Sequence, residues 1–125
     1  TIAPSRARIF GGDLFARLSP GIRYDLILSN PPYLDPALAD RVDSDVNGHE
    51  PALALWGGEG GMHYLTRILT EATHYLATGG ILYLEHEPEQ CDAIRTLADT
   101  LPYASSETQK DQFGLLRYTR FWRAP

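Results

Sequence analysis

Tyr24-Asp25-Leu26-Ile27-Leu28-Ser29 is a nearly continuous apolar run that stops at Asn30-Pro31-Pro32-Tyr33, and no other feature of the chain constrains its fold so tightly. A run broken by a single carboxylate fits a strand covered on both faces, as the central strands of parallel sheets are. Two successive prolines remove ladder donors and fix φ, so the strand must end and a rigid loop must begin at Asn30. Such a strand needs neighbours, and the later sequence supplies them. Met62, Leu65, Ile68, Leu69, Ala72 and Leu76 recur at helical spacing, with Gly79-Gly80 as the stop. Ile81 to Glu85 predicts a second apolar strand. Pro88 then sits at a first helical position, and Cys91, Ile94, Leu97, Ala98 and Leu101 mark one helical face. Tyr103 to Thr108 and Leu115 to Trp122 flank a polar turn and predict an antiparallel hairpin.

Strands alternating with helices imply an α/β fold: a mostly parallel sheet with helices on both faces and a carboxy-terminal antiparallel hairpin. Upstream, Arg8-Ile9-Phe10 reads as the end of a short strand. Gly11-Gly12 then turns the chain, and Asp13 caps one helical turn over Leu14 to Leu18. Open sheets of this class bind ligands beyond the carboxyl ends of their strands, which groups Asp13, Asn30 and the residues after Glu85 on one rim. Residues 35–61 are polar and irregular, with a short helix expected around Ala37 to Val42 and a glycine-rich stretch at Gly57 to Gly61. Long loops in compact domains are usually functional.

The chain has 125 residues, 43% of them hydrophobic, which suits one compact domain or a piece of one. No apolar stretch approaches the ~20 residues that cross a bilayer, and the first residues carry no leader pattern, so the cytoplasm is the expected compartment. Cys91 is the single cysteine and rules out an internal disulfide or a thiolate zinc cluster, while His49, His63 and His74 show no metal spacing. No metal site is expected. A formal charge of −5 without a basic run argues against a nucleic-acid partner.

Asn30-Pro31-Pro32-Tyr33 is where the chemistry concentrates. The Asn30 carboxamide and the Pro31 carbonyl can both accept hydrogen bonds from a planar NH2 group, which disfavours its π-conjugation and frees the nitrogen lone pair. The prolines keep that acceptor pair rigid. Tyr33 offers its ring face to a flat amide or base and to a developing positive charge. The reaction suggested is alkylation of nitrogen.

On this tetrapeptide the sequence resembles class I S-adenosylmethionine-dependent methyltransferases that modify planar NH2 nitrogens. Gly12-Asp13-Leu14-Phe15, His49-Glu50-Pro51 with Leu53-Ala54-Leu55, Gly60-Gly61 and Gly79-Gly80-Ile81-Leu82-Tyr83-Leu84-Glu85-His86 extend the likeness to the protein-(glutamine-N5) methyltransferase (HemK) family over nearly the whole chain. That family methylates the glutamine of the Gly-Gly-Gln loop in peptide-chain release factors, and a close relative modifies a ribosomal protein. The resemblance implies a Rossmann-like sheet with S-adenosyl-L-methionine as cofactor. It also implies that Asn30, Pro31, Pro32 and Tyr33 bind the target glutamine, that Asn30 lies near the cofactor, and that Asp13 and Leu14 line the adenine pocket. Glu50-Pro51 would help to shape the substrate channel.

The family's glycine-rich loop and the acidic residue that holds the ribose would both precede Gly12, where only eleven residues stand. Residues 1–125 are therefore expected to be a carboxy-terminal portion of the catalytic domain, lacking the first strands. The sheet would then have an unpaired edge beside Tyr24 to Ser29, for which a second copy of the chain is one cover. Two rival readings stay open: an adenine-N6 DNA or RNA methyltransferase, since the tetrapeptide suits any planar NH2, and a non-catalytic truncated fragment. Elsewhere, Glu85-His86-Glu87 reads as a solvated loop and helix start. Cys91 reads as an inert core residue, and Tyr118, Phe121 and Trp122 as sheet packing.

Overall fold

The computed structural model describes residue 3, residues 6–31 and residues 61–125. Pro32, Tyr33, the helix expected near 37–42, His49 to Pro51 and the glycine-rich stretch before Gly61 lie outside the described residues. Six elements follow in order: β1 (Tyr24–Ser29), α1 (Met62–Ala72), β2 (Leu76–Glu85), α2 (Cys91–Ala98, entered through a 3-10 turn at Pro88–Gln90), β3 (Tyr103–Lys110) and β4 (Leu116–Arg123).

The strands form one sheet in the order β1-β2-β4-β3. β1 and β2 run parallel, and β4 is antiparallel to both β2 and β3. Thus β1, β2 and β3 all point the same way and β4 alone is reversed. Three strands deliver their carboxyl ends to one rim, as expected of a mostly parallel sheet closed by a hairpin.

Register divides the sheet into two faces. Ile27, Leu82 and Phe121 align across the strands, followed by Ser29, Leu84 and Thr119 on the same side. Leu82, Leu84 and Phe121 are fully buried and share one core with Leu65, Ile68, Leu69 and Ala72 of α1 and Ile94 and Ala98 of α2. Both described helices therefore cover the same face, where strand alternation had led to helices on both. Each crossover, β1 to β2 and β2 to β3, moves the same way across the sheet, and right-handed crossovers that move one way stack their helices on one side. Leu26, Ile81 and Trp122, then Leu28, Tyr83 and Arg120, occupy the opposite face. There Leu26 is 54% and Leu28 71% exposed on β1, one of the two outer strands of the described sheet.

Two local expectations are corrected. Arg8-Ile9-Phe10 is not a strand, and Ile9 is 99% exposed; no described strand pairs with the segment, and an unpaired extended segment has no ladder to hold it. The helix expected to reach Leu76 ends at Ala72, and Leu76 instead pairs with Tyr24. Gly79-Gly80 consequently lies inside β2, where the register jumps from Tyr24↔Leu76 to Leu26↔Ile81. Gly79 has φ +75°, and a Cβ on Gly80 would meet the backbone oxygens of Ala77 at 2.8 Å and Tyr24 at 3.0 Å. The glycine pair permits a bulge, and does not act as a helix stop.

Candidate active site

The carboxyl rim is assembled from the ends of β1 and β2, the hairpin tip and the start of β4. Asn30 follows β1 directly and is exposed, while Pro31 is buried. A proline ring held in the protein fixes the direction in which the chain leaves the strand, so the carboxamide before it is presented from an immobile base. Both residues carry acceptor oxygens that suit an NH2 group. Pro32 and Tyr33, the other half of the tetrapeptide, lie outside the described residues.

Beside the amino-terminal half of β1, in the turn two residues before the cleft-lining Phe15, lies Asp13. Its carbonyl accepts from the Ala16 amide at 3.0 Å and Phe15 accepts from Leu18 at 3.0 Å, giving consecutive turns where one helical turn was expected. The Asp13 carboxylate goes to Arg67 of α1, whose Nη1 donates to both oxygens at 3.1 Å. Leu14 has φ +51° and is the only non-glycine residue with positive φ among the described residues. A left-handed leucine costs about 1 to 2 kcal/mol, so its surroundings must hold it. On the far side Phe15 is buried and stacks on Tyr75, ring centres 5.0 Å apart and planes nearly parallel at 9°.

Beyond β2, His86 overturns the solvated-loop expectation, because it is fully buried. Its Nδ1 lies 2.8 Å from the Glu87 carbonyl, and its Nε2 lies 2.8 Å from Thr119 Oγ1. A carbonyl can only accept, so Nδ1 carries the proton and Nε2 accepts from the threonine hydroxyl. Thr119 Oγ1 is 3.0 Å from Thr108 Oγ1, which is 3.5 Å from Cys91 Sγ. Burial pushes the imidazole pKa below its ordinary value; nearby Arg117 also lowers it, while the Glu87 carbonyl and the carboxylates of Glu85 and Glu87 oppose the shift. Arg117 ties the rim together by pairing with Glu87 at 3.0 Å and Asp111 at 3.5 Å.

A cleft of about 440 Å3 lies elsewhere, lined by Phe10, Phe15, Ile22, Tyr24 and Leu26 among others. It borders the amino-terminal half of β1, away from Asn30, and is a groove along the strand edge. Among the described residues no group of three or more histidine, cysteine, aspartate or glutamate side chains could hold a metal ion, and no helix is long and apolar enough to cross a membrane.

No protein-family model matches the chain. The release factor glutamine methyltransferase of Burkholderia pseudomallei is 37% identical, the match covering 91% of this chain and 41% of that protein. The ribosomal protein uL3 glutamine methyltransferase of Bordetella pertussis is 44% identical over 66% of this chain and 28% of its own length. The chain belongs to the protein-glutamine methyltransferase family. It spans about two fifths of the length of the release factor methyltransferases that it matches. A methyltransferase crystal structure from Pyrococcus furiosus shares the fold, with a TM-score of 0.57 at 22% identity over 83% of this chain and 43% of that one. The α/β sheet expected from the alternation of elements is observed, and it is consistent with part of the Rossmann-like sheet that the resemblance implied.

Family likeness directs attention to Asp13, Leu14 and Asn30 to Tyr33, and passes over Arg67 and Thr119. Arg67 carried a legible signal only toward Glu71, four residues on along α1. Its pairing with Asp13 crosses 54 residues and is invisible to any local pattern.

Proposed function

We propose that residues 1–125 form the carboxy-terminal portion of a methyltransferase domain that uses S-adenosyl-L-methionine to methylate the side-chain amide nitrogen (N5) of a protein glutamine, in the Gly-Gly-Gln loop of a peptide-chain release factor. The observation that carries this reading is Asn30 standing exposed on buried Pro31 at the carboxyl end of a parallel strand, in a chain of this family. Sequence relatives named as release factor glutamine methyltransferases support the substrate, and the uL3 relative makes a ribosomal protein the second candidate.

In this reading the Asn30 side-chain oxygen and the Pro31 carbonyl accept the two N–H groups of the glutamine amide, twisting its nitrogen out of conjugation while Tyr33 covers its face. The nitrogen lone pair would then take up a methyl group as the carbon–sulfur bond of the donor breaks and the sulfur keeps its electron pair, and the surplus N–H proton would pass to water. Bound S-adenosylmethionine supplies that electrophilic methyl group. The donor set fits it in part: the Asp13 carboxylate meets Arg67 through one nitrogen only, which leaves acceptor capacity for an adenine amino group, and Leu14 adds an apolar contact. A second copy of the chain laid along β1, and a cytoplasmic setting, complete the proposal.

The test offers the chain methyl-labelled cofactor with a release factor, with the same factor bearing alanine for the Gly-Gly-Gln glutamine, with ribosomal protein uL3, and with an adenine-rich oligonucleotide. Label that depends on the release-factor glutamine and falls at least ~100-fold in Asn30→Ala supports the reading, a loss of the order expected when an acceptor that positions the reacting group is removed. Label in the oligonucleotide, or no transfer to any protein, overturns it.

A further inference from the structure

We infer that Arg67 is a positioning residue: from α1 it fixes the Asp13 carboxylate and so holds the Asp13-Leu14 turn in the conformation in which it lines the cofactor pocket. This rests on the cofactor reading proposed above. The turn and the helix are 54 residues apart in sequence, and the bond from Nη1 to both carboxylate oxygens at 3.1 Å joins them. The residue it grips is followed at once by Leu14, whose φ of +51° no leucine adopts without cause.

Arg67 is itself oriented from two further directions. Its Nε lies 3.3 Å from Glu71 Oε2, and its guanidinium stands 5.9 Å from the centre of the Tyr64 ring. A planar guanidinium placed by a carboxylate and an aromatic ring is preorganised, and it loses less freedom in gripping Asp13 than a free side chain would. Leu14 is thus caught between two anchors, the Asp13 carboxylate on α1 and the Phe15 ring stacked on Tyr75. The Arg67 side chain is about one third exposed and that of Asp13 about two thirds, at 32% and 65%. A pair so open to solvent is worth at most about fivefold in an equilibrium, so it biases the strained turn together with the stacked Phe15 and does not hold it alone.

Two readouts test this on the chain. One is heteronuclear magnetic resonance of Leu14, whose couplings report the sign of φ. The other is calorimetric titration with S-adenosylhomocysteine, the unreactive product of methyl transfer. Arg67→Met should shift Leu14 away from its left-handed signature and weaken cofactor binding about fivefold. Arg67→Lys should restore most of both, because an ammonium still reaches the carboxylate, and it replaces Arg67→Met should that variant fail to fold. Glu71→Gln, which weakens one of the two groups that orient Arg67, should move both in the same direction as Arg67→Met but by less. A wild-type Leu14 signature in Arg67→Met, or a changed signature with unchanged affinity, overturns the inference. A wild-type chain that gives no heat overturns the cofactor reading and the positioning role with it. That outcome is told apart from failure of the clamp because Leu14 then still responds to Arg67→Met.

Discussion

At the scale of single residues, His86 has the sharpest physical consequence. It is buried, neutral and bonded at both ring nitrogens, with Thr119 as donor to Nε2. Its folded pKa lies below the ordinary imidazole value that it regains on unfolding, so the unfolded chain binds more protons. The stability contributed is therefore complete above the ordinary value and is lost as pH falls through it toward the depressed one. Denaturant unfolding between pH 7.5 and 5 should show a free energy that falls on acidification, with a slope of at most about 1.4 kcal/mol per pH unit from this group. In His86→Gln that component should vanish, and an unchanged slope would show that other groups dominate. Thr119→Val removes the hydroxyl that satisfies Nε2 and should cost about 1 to 3 kcal/mol, measured by the same unfolding at pH 7.5. None of this was readable from Glu85-His86-Glu87, a polar triplet whose composition describes a solvated loop. Burial is conferred by β4, which places Thr119 against the ring from 33 residues away.

Among the elements, β2 shows how an apolar pattern misleads at its borders. Leu76 continues the helical spacing of Met62 to Ala72, yet the chain turns at Thr73 to Tyr75, and Tyr75 passes its carbonyl to the Tyr24 amide at 2.7 Å. Pairing with β1 outweighs one more helical turn, and local periodicity carries no information on that competition. The two glycines inside β2 differ in their demands. Gly80→Ala puts a methyl group against two backbone oxygens that cannot move aside, whereas Gly79→Ala meets open space and bears only the left-handed strain. Thermal unfolding should rank Gly80→Ala as the costlier by about 1 kcal/mol or more, and equal midpoints would argue against the bulge. By contrast the start of α2 was legible, because its entrance is written locally: Pro88 starts the turn, and the Gln90 side chain accepts from the Glu87 amide at 2.8 Å, whereas Leu101, expected on the same helical face, lies beyond the helix end at Ala98. The hairpin tip is equally local, with Asp111 Oδ1 accepting from Phe113 at 2.8 Å and Leu115 at 3.0 Å.

For the molecule as a whole, the sheet is covered by described helices on one face and presents Leu26 and Leu28 on the other, along an outer strand. An exposed apolar edge of this kind promotes association between chains. Leu28→Lys should leave the unfolding midpoint close to wild type and lower concentration-dependent self-association in sedimentation velocity; association that persists unchanged would place the contact elsewhere. The succession of strands and helices, the rigid Asn30-Pro31 exit and the family follow from signals within short stretches of chain: apolar runs, prolines, glycines and caps act through neighbours in sequence. What only the tertiary structure decided are the contacts that close over distance, namely both described helices on one face, His86 buried against Thr119, and Arg67 gripping Asp13. Each depends on the handedness of crossovers and on which side chains packing brings within hydrogen-bond reach, and these are properties of the assembled chain that no local pattern encodes.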